Sequence, residues 1–293
     1  MIQVVEVGLR DGLQNEKLMI PTHVKQRLVQ RLINAGIKEI EVTSFVHPTW
    51  VPQLADADLL ASQLHIDPGV TYRALVPNRK GLERALRTPI HEYAVFISAS
   101  ETHNQKNINK SIEETFPVLQ EVVAEAKQHQ KRVRGYVSTV FGCPYEGKVD
   151  LKQVVMICER LMDMGVYEIS LGDTIGVATP NQVKEALTEL LRQFSSEQLA
   201  VHFHDTRGTG LVNAYVSLEC GITTLDSSLG GLGGCPYAPG ATGNLATEDL
   251  IYMLDGMGIK TGINLEELCQ TSHWLEEQLG KKLSSKVLRS YFQ

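Results

Sequence analysis

Three stretches of the chain share one pattern, in which a helix-like segment ends in glycine and a strand-like run follows at once. They are NAGIKEIEVTSF at 34–45, DMGVYEISLGDT at 163–174 and ECGITTLDSSLG at 219–230. Glycine readily takes the left-handed conformation that ends a helix, and the apolar residues after it are typical of a buried strand. A chain that repeats this junction is constrained to alternate helices with buried strands.

Five further segments have the composition of strands, which brings the predicted number to eight; they are 2–10, 70–78, 91–100, 131–142 and 199–206. Eight strands in alternation with helices predict an α/β fold, a (βα)8 TIM barrel, with a helical C-terminal extension at about 247–293. We expect a single catalytic domain over 1–293. The alternative is a doubly wound open sheet, but no G-x-G-x-x-G follows the first strand, and the number eight favours closure.

Helix signals lie between the predicted strands. Thr22 to Ala35 places Val24, Leu28 and Leu32 on one apolar stripe. Ser111 and Glu114 have the spacing of a capping box, and Pro180 suits a first helical turn. TRGTGLVNAYVSLECG and DLKQVVMICERLMDMG complete the alternation.

Composition limits the possible partners. The chain has 34 acidic and 28 basic residues, a net charge of −6, so we expect neither nucleic acid nor an anionic membrane as a partner. No run approaches 18 apolar residues, and MIQVVEVGLRDG resembles neither a signal peptide nor a transit peptide. The cysteines are odd in number and form no CxxC pair, which favours free thiols in a cytoplasmic location; they lie at 143, 158, 220, 235 and 269.

The chemistry of such a barrel lies at the carboxyl ends of its strands, where the first strand leads into Arg10 and Asp11. A charged surface turn is one interpretation of this pair, and a metal-binding carboxylate beside an oxyanion-stabilising arginine is the other. HFHD places His202 and His204 on the same face of a strand, because side chains alternate along it. Two imidazoles on one inward face favour a metal site over a structural role.

Three further strand-end residues allow two interpretations each. Glu41 is expected to face inward and to pair with Arg10, either as a structural ion pair or as part of a site. Asp173 is equally suited to capping a turn and to orienting a substrate. Asn244 suits a turn, but its carbonyl oxygen could join Asp11, His202 and His204 around a cation. Mixed oxygen and nitrogen ligands suit Mg²⁺ or Mn²⁺ and leave Zn²⁺ open.

Two basic runs and one glycine-rich segment remain. QKNINK at 105–110 and KRVR at 131–134 are solvated faces in the simpler interpretation and phosphate contacts in the other. GGLGGCPYAPGATGN at 230–244 carries Cys235 between glycines, which permit close approach to a substrate and movement of a lid.

Together these motifs resemble the 3-hydroxy-3-methylglutaryl-CoA lyase family, a branch of the TIM-barrel metal-dependent lyases and condensing enzymes, from about residue 4 to residue 260. The motifs are EVGLRDGLQNE, EVTSFVHPTWVPQ, ISASETHNQKNINKS, VFGCPYEG, LGDTIGVATP, HFHDTRGTG and GGLGGCPYAPGATGNLATED. The resemblance implies cleavage of 3-hydroxy-3-methylglutaryl-CoA into acetyl-CoA and acetoacetate, with a divalent cation, Mg²⁺ or Mn²⁺, as cofactor. It also implies a homodimer.

The resemblance assigns roles by position. It implies metal ligation by Asp11, His202, His204 and Asn244. The catalytic residues implied are Arg10, Asp11, Glu41, Asp173, His202 and Cys235. We expect the substrate to contact Arg10, Gln14, Asn107 and Thr174. Leu9 departs from the family, which usually has proline before the Arg-Asp pair, and this change removes no functional group.

Three alternatives stay open. A condensing enzyme of the isopropylmalate or homocitrate synthase type shares the H-x-H strand, but usually has a longer C-terminal region and is not expected to carry the CPYAPG loop. A lyase for a related 3-hydroxyacyl-CoA is the second. The third is a non-catalytic metal- or CoA-binding relative, which the complete set of ligand residues disfavours.

Overall fold

The computed structural model describes residues 2–233 and 243–292, and its centre is a closed parallel barrel. Eight strands of this described part pair in chain order, and β8 pairs with β1 to complete the ring. The predicted TIM barrel is therefore confirmed, and the open sheet is excluded. The strands are β1 Gln3–Glu6, β2 Glu39–Ser44, β3 Thr71–Leu75, β4 Glu92–Ser98, β5 Arg132–Ser138, β6 Ile169–Asp173, β7 Leu199–Phe203 and β8 Thr224–Ser227.

Helices surround the barrel and alternate with its strands. Within 2–233 and 243–292, both α4 and α5 follow β4, and each of the other strands is followed by one α-helix before the next strand or the C-terminal helices. The helices are α1 Thr22–Asn34, α2 Ala57–Ser62, α3 Arg79–Ala85, α4 Glu101–Ile108, α5 Ile112–Gln128, α6 Leu151–Met164, α7 Pro180–Leu190, α8 Gly210–Glu219, α9 Thr247–Gly256, α10 Leu265–Leu279 and α11 Lys286–Tyr291.

Local sequence signals set several of these helix boundaries. The Ser111 hydroxyl accepts from the Glu114 amide, and the Glu114 carboxylate accepts from the Ser111 amide, so the predicted capping box begins α5. Pro180 is the first residue of α7. Gly165 ends α6 with φ of 97°, a left-handed conformation that a side chain would strain.

The C-terminal part of the described chain consists of α9, α10 and α11. The predicted helical C-terminal region is confirmed: α9 follows β8 among the described elements and begins at Thr247, and α10 and α11 come after it. The guanidinium of Arg31 on α1 lies 4.9 Å from the ring centre of Trp274 on α10, which fastens α10 to the barrel.

We call the end of the barrel interior where the strands begin the lower end. It contains a group of charged and polar side chains that we name the basal cluster: Glu39, Arg73, Glu92 and Tyr167. Arg73 is fully buried, donates to Glu92 and donates to Glu39 at 3.2 Å. The Tyr167 hydroxyl donates to Glu92 at 2.6 Å. Glu39 and Glu92 are the first residues of β2 and β4, Tyr167 comes just before β6, and Arg73 lies inside β3, so the cluster lies toward the end opposite the predicted site.

Two further findings concern the described part of the chain. Cys143, Cys158, Cys220 and Cys269 are free thiols. None of the helices in 2–233 or 243–292 has the length and apolar composition needed to cross a membrane.

Candidate metal centre and active-site cavity

Three potential metal ligands meet at the carboxyl end of the barrel. Asp11 follows β1, His202 belongs to β7, and His204 follows β7. One ligand atom from each lies within 4.8 Å of the other two. The convergence that the H-x-H pattern and the Arg-Asp pair predicted is present, since the strands that carry these residues belong to one closed ring.

A single tight turn places Arg10 and Asp11. β1 ends at Glu6, earlier than the predicted 2–10, because the backbone of Gly8–Gly12 turns into a π-helix. A Cβ on Gly8 would lie 2.5 Å from the Glu6 carboxylate, and one on Gly12 would lie 2.9 Å from the Ser228 hydroxyl. The glycines of GLRDG therefore let this turn pack against the end of β8.

Arg10 lies between two carboxylates. Its Nε donates to Glu41 Oε2 at 2.7 Å, and its Nη1 donates to Asp11 Oδ1 at 2.5 Å. Glu41 is fully buried and also accepts from the Tyr136 hydroxyl at 3.2 Å. The predicted pairing of Arg10 with Glu41 is present, and it aims the guanidinium at the ligand cluster.

The charges of the cluster suit a cation. Burial opposes ionisation of Asp11, but Arg10 and the two imidazoles outweigh it and lower the pKa of Asp11 to about 2. Burial and the neighbouring His202 lower the pKa of His204 to about 4. At neutral pH Asp11 is an anion and His204 is a neutral imidazole, the forms that bind metal.

Asn244 completes this group from the far side of the glycine-rich segment. It forms an isolated β-bridge with His204, and its Nδ2 donates to Asp11 Oδ2 at 2.8 Å and to the Leu232 carbonyl at 3.0 Å. Asn244 Oδ1 and His204 Nδ1 are buried and have no hydrogen-bond partner among the described residues. Buried acceptors without partners are costly. A cation bound by Asp11, His202, His204 and Asn244, which we name the metal-site cluster, would relieve that cost at Asn244.

A cavity of about 480 Å³ opens beside the metal-site cluster. The predicted substrate contacts Gln14, Asn107 and Thr174 all line it, together with Arg10. The Gln14 amide donates to Asp11 Oδ1 at 3.2 Å. Further lining side chains that the sequence did not single out include Ser44, His47, Trp50, His103, Tyr136 and Ser138.

Asp173 forms hydrogen bonds within the turn that follows β6. Its carboxylate accepts from the amides of Val177 at 2.9 Å and Ala178 at 3.1 Å, and it is not among the described side chains that line the cavity. Burial raises the pKa of Asp173 to about 6 despite these hydrogen bonds. The turn-capping interpretation is therefore present in the structure, and its predicted catalytic role stays a prediction.

Two other sequence interpretations have different outcomes. Cys235 lies at a position outside the described residues. KRVR does not reach the cavity: Lys131 donates to the Ile90 carbonyl at 2.8 Å, and Arg132 lies over Tyr167 of the basal cluster. Arg134 is fully buried in the barrel, so this run is not a wholly solvated face, and its contact with a phosphate stays a prediction.

Sequence reasoning missed Asp226. This carboxylate on β8 accepts from both terminal nitrogens of Arg134, at 3.1 and 2.8 Å, and lies 3.3 Å from His202 Nδ1. The signal available was an aspartate inside the strand LDSS and an arginine inside VRGYVS. Only the closed ring places them opposite each other.

Comparisons of the sequence with known proteins identify one family over nearly the whole chain. The sequence model of the family described as HMGL-like matches residues 1–275. The chain is 52% identical over 290 residues to the hydroxymethylglutaryl-CoA lyase of Bacillus subtilis, which covers 99% of this chain and 97% of that relative.

Solved structures give the same result. The crystal structure of the Bacillus subtilis HMG-CoA lyase matches with a TM-score of 0.98 at 51% identity, covering 100% of this chain and 98% of that one. The structure of an HMG-CoA lyase from Acinetobacter baumannii in complex with coenzyme A and 3-methylmalate matches with a TM-score of 0.95 at 40% identity, over 99% and 95% of the two chains.

Proposed function

The chain belongs to the HMGL-like family, and from this premise we propose that it cleaves 3-hydroxy-3-methylglutaryl-CoA into acetyl-CoA and acetoacetate with the help of a divalent cation. The observation that carries the proposal is the metal-site cluster beside Arg10 at the cavity. The full-length identity of 52% to a hydroxymethylglutaryl-CoA lyase supports the choice of substrate.

The reaction breaks one carbon–carbon bond and moves two protons. A base removes the proton of the tertiary alcohol, and the oxygen's electron pair forms the ketone of acetoacetate. The bond between the alcohol carbon and the carbon next to the thioester breaks, and its electron pair becomes a thioester enolate. Protonation of the enolate carbon gives acetyl-CoA. The site must therefore accept one proton, stabilise an oxyanion and return one proton.

Asp11, His202, His204 and Asn244 would hold the cation. Their mixed carboxylate, imidazole and amide donors fit Mg²⁺ or Mn²⁺. When bound, such a cation lowers the pKa of a coordinated alcohol and orients it. The unpartnered Asn244 Oδ1 supports this assignment.

Arg10 would stabilise the enolate oxygen. Burial opposes its charge, but Glu41 and Asp11 outweigh burial and raise the pKa of Arg10 well above its ordinary value, so it stays protonated. Its ion pair with Glu41 fixes the guanidinium before the substrate arrives. A fixed cation where negative charge develops lowers the barrier without reorganisation.

The two proton transfers require a base and an acid close to the metal-site cluster. Asp11 and His202 are the two candidates for the base, because the family resemblance implies a catalytic role for both in addition to metal ligation. We assign Cys235 to one of the transfers on the strength of the family motif GGCPYA. Gln14, Asn107 and Thr174 would contact the acyl-CoA through their amide and hydroxyl groups from the cavity wall, and Asp173 would keep the turn after β6 in shape.

Two further proposals accompany the activity. We propose a homodimer, which follows from the family resemblance and is measured by light scattering on the eluted protein. We also propose a cytoplasmic, reducing location, which the free thiols of the described part support.

Product analysis tests the proposed function. The protein is incubated with 3-hydroxy-3-methylglutaryl-CoA after treatment with chelator, and again after Mg²⁺ or Mn²⁺ is restored. We expect acetoacetate and acetyl-CoA in equal amounts with metal and no turnover without it. A parallel incubation with acetyl-CoA and 2-oxo acids detects release of CoA thiol, the signature of a condensing enzyme. No acetoacetate in the metal-restored sample would overturn the proposal.

A further inference from the structure

Asp226 sits in the middle of the barrel, between a buried arginine and a proposed metal ligand. It is almost fully buried on β8. Besides its two hydrogen bonds from Arg134, it accepts from the Ser170 hydroxyl at 2.8 Å. Its Oδ2 lies 3.3 Å from Nδ1 of His202. Each of these neighbours comes from a different strand: β5, β6 and β7.

The chemistry of the carboxylate fixes the direction of the bond to His202. Both oxygens of Asp226 accept from the guanidinium of Arg134, and Oδ2 also accepts from the Ser170 hydroxyl, so the side chain is held as a carboxylate by a buried cation. An ionised carboxylate only accepts hydrogen bonds. His202 Nδ1 must therefore carry a proton and donate it, and Nε2 of the neutral ring is left with the lone pair.

The Nε2 atom of His202 lies near Asp11, another member of the metal-site cluster. His202 Nε2 lies 3.9 Å from Asp11 Oδ2, and the ring packs edge-on against Tyr136 with centroids 6.3 Å apart. The Tyr136 hydroxyl in turn accepts from Arg134 at 2.9 Å. Arg134 thus supports both the hydrogen-bond partner of the imidazole and the ring against which it packs.

From this arrangement we propose that Asp226, held by Arg134 and Ser170, is a positioning residue that sets the tautomer and orientation of His202 for the divalent cation. The proposal rests on the proposed function in one respect, namely that the metal-site cluster binds such a cation. Asp226 acts through His202 and is not itself a ligand. Partners of this kind commonly change metal affinity by about 10–100-fold.

A purely structural ion pair is the competing explanation, and the molecule supplies a matched control. Glu92 of the basal cluster is also a nearly fully buried carboxylate that accepts from a fully buried arginine and a neighbouring hydroxyl. It has no described contact with the metal-site cluster. Asp226→Asn and Glu92→Gln each remove one buried negative charge from an arginine of the same barrel.

The test measures Mn²⁺ affinity by electron paramagnetic resonance of the free ion, at matched folded fractions. Asp226→Asn is expected to bind Mn²⁺ about 10–100-fold more weakly than the wild type. Glu92→Gln is expected to bind it equally well. Equal affinity of wild type and Asp226→Asn would overturn the inference, whereas failure of the wild type to bind Mn²⁺ would overturn the proposed function instead.

A second measurement decides the matter if Asp226→Asn does not fold. Wild-type protein labelled with ¹⁵N-histidine is examined by NMR without metal, at alkaline pH where the imidazole is neutral, and His202→Gln assigns the signal. The inference predicts a protonated Nδ1 and an unprotonated Nε2 for His202. The opposite tautomer would contradict it.

Discussion

The two ends of the barrel interior contain the same kind of chemistry. At the lower end Arg73 donates to Glu39 and Glu92, and at the upper end Arg10 donates to Glu41 and Asp11. Burial opposes the charge of both arginines, but Glu41 and Asp11 at Arg10, and Glu92 at Arg73, raise the pKa of each arginine well above its ordinary value. Charge and burial alone therefore do not distinguish a structural cluster from a functional one.

The two ends differ in their buried polar atoms that have no hydrogen-bond partner among the described residues. Arg73 Nη1 is buried without a partner among the described residues, but it is a hydrogen-bond donor and cannot bind a cation. At the upper end the corresponding atoms include Asn244 Oδ1, an acceptor on a side chain whose amide nitrogen donates to Asp11 Oδ2 at 2.8 Å. A site for a cation is marked by acceptors that converge on one point.

The largest effect is expected from removing one ligand of the metal-site cluster. His204→Ala deletes a neutral imidazole, so we expect Mn²⁺ affinity and acetoacetate formation both to fall by at least about 100-fold, more than for loss of an outer partner. Thermal unfolding should change little, because the ring has no described hydrogen bond through Nδ1. Isothermal titration with Mn²⁺ and the product assay measure the two quantities, and stoichiometric metal in this variant would remove His204 from the ligand set.

Glu92→Gln, a change at the lower end, is expected to reduce stability and to leave the activity of the folded protein unchanged. Glu92→Gln leaves Arg73 with Glu39 as its one described carboxylate partner, besides the Tyr167 hydroxyl, and removing one partner of a buried ion pair costs about 3–5 kcal/mol in free energy of unfolding. The remaining Glu39 favours the lower figure. Urea unfolding measures the loss, and the activity of the folded fraction should equal that of the wild type. A large loss of turnover in folded Glu92→Gln would show that the basal cluster is coupled to the site.

A pH-dependent effect is expected from a buried carboxylate whose described hydrogen bonds include none from an arginine. Glu248 accepts from the Gly230 amide and the Ser272 hydroxyl, and burial raises its pKa to about 8. Its pKa in the unfolded chain is near the ordinary value of 4.5. Between these two values the folded state keeps a proton that the unfolded state has released, so stability is greatest at low pH and falls as the pH rises through this window.

Glu248→Gln removes that dependence. Wild type should lose about 3–4 kcal/mol relative to the variant between about pH 5 and about pH 9, since the folded pKa lies about 3 units above pH 5 and one unit of pKa corresponds to about 1.4 kcal/mol. Urea unfolding at the two pH values measures it. Glu276→Gln is the control: burial of Glu276 is outweighed by Lys282, which lowers its pKa, so its difference from wild type should be constant over this range. A constant difference for Glu248→Gln as well would contradict the account.

Much of this could be predicted from sequence because the responsible signals are local. Glycine-ended helices followed by strands predict the barrel, and H-x-H in a strand predicts two imidazoles on one face. Arg10 and Glu41 could be paired because β1 and β2 are consecutive strands of a parallel barrel. The exact end of β1 could not be predicted, since the π-helical turn depends on packing of Gly8 and Gly12 against the residues after β8.

Asp226 and Arg134 escaped prediction for a different reason. They are separated by 92 residues, and each looks ordinary in its own segment. Arg134 stands in a basic run that suggests solvent, and Asp226 stands beside turn-forming serines. Only closure of the ring, which brings β5, β7 and β8 around one interior, places them against His202.

The most direct test of the account is the location of a bound ion. Crystals grown with MnCl₂ would give an anomalous difference map of the metal. We expect a single strong peak about 2.0–2.2 Å from ligand atoms of Asp11, His202 and His204, with the Asn244 carbonyl oxygen completing the protein ligands. A peak elsewhere, or no peak at this cluster in fully folded protein, would contradict the claim that the upper end of the barrel is a metal centre.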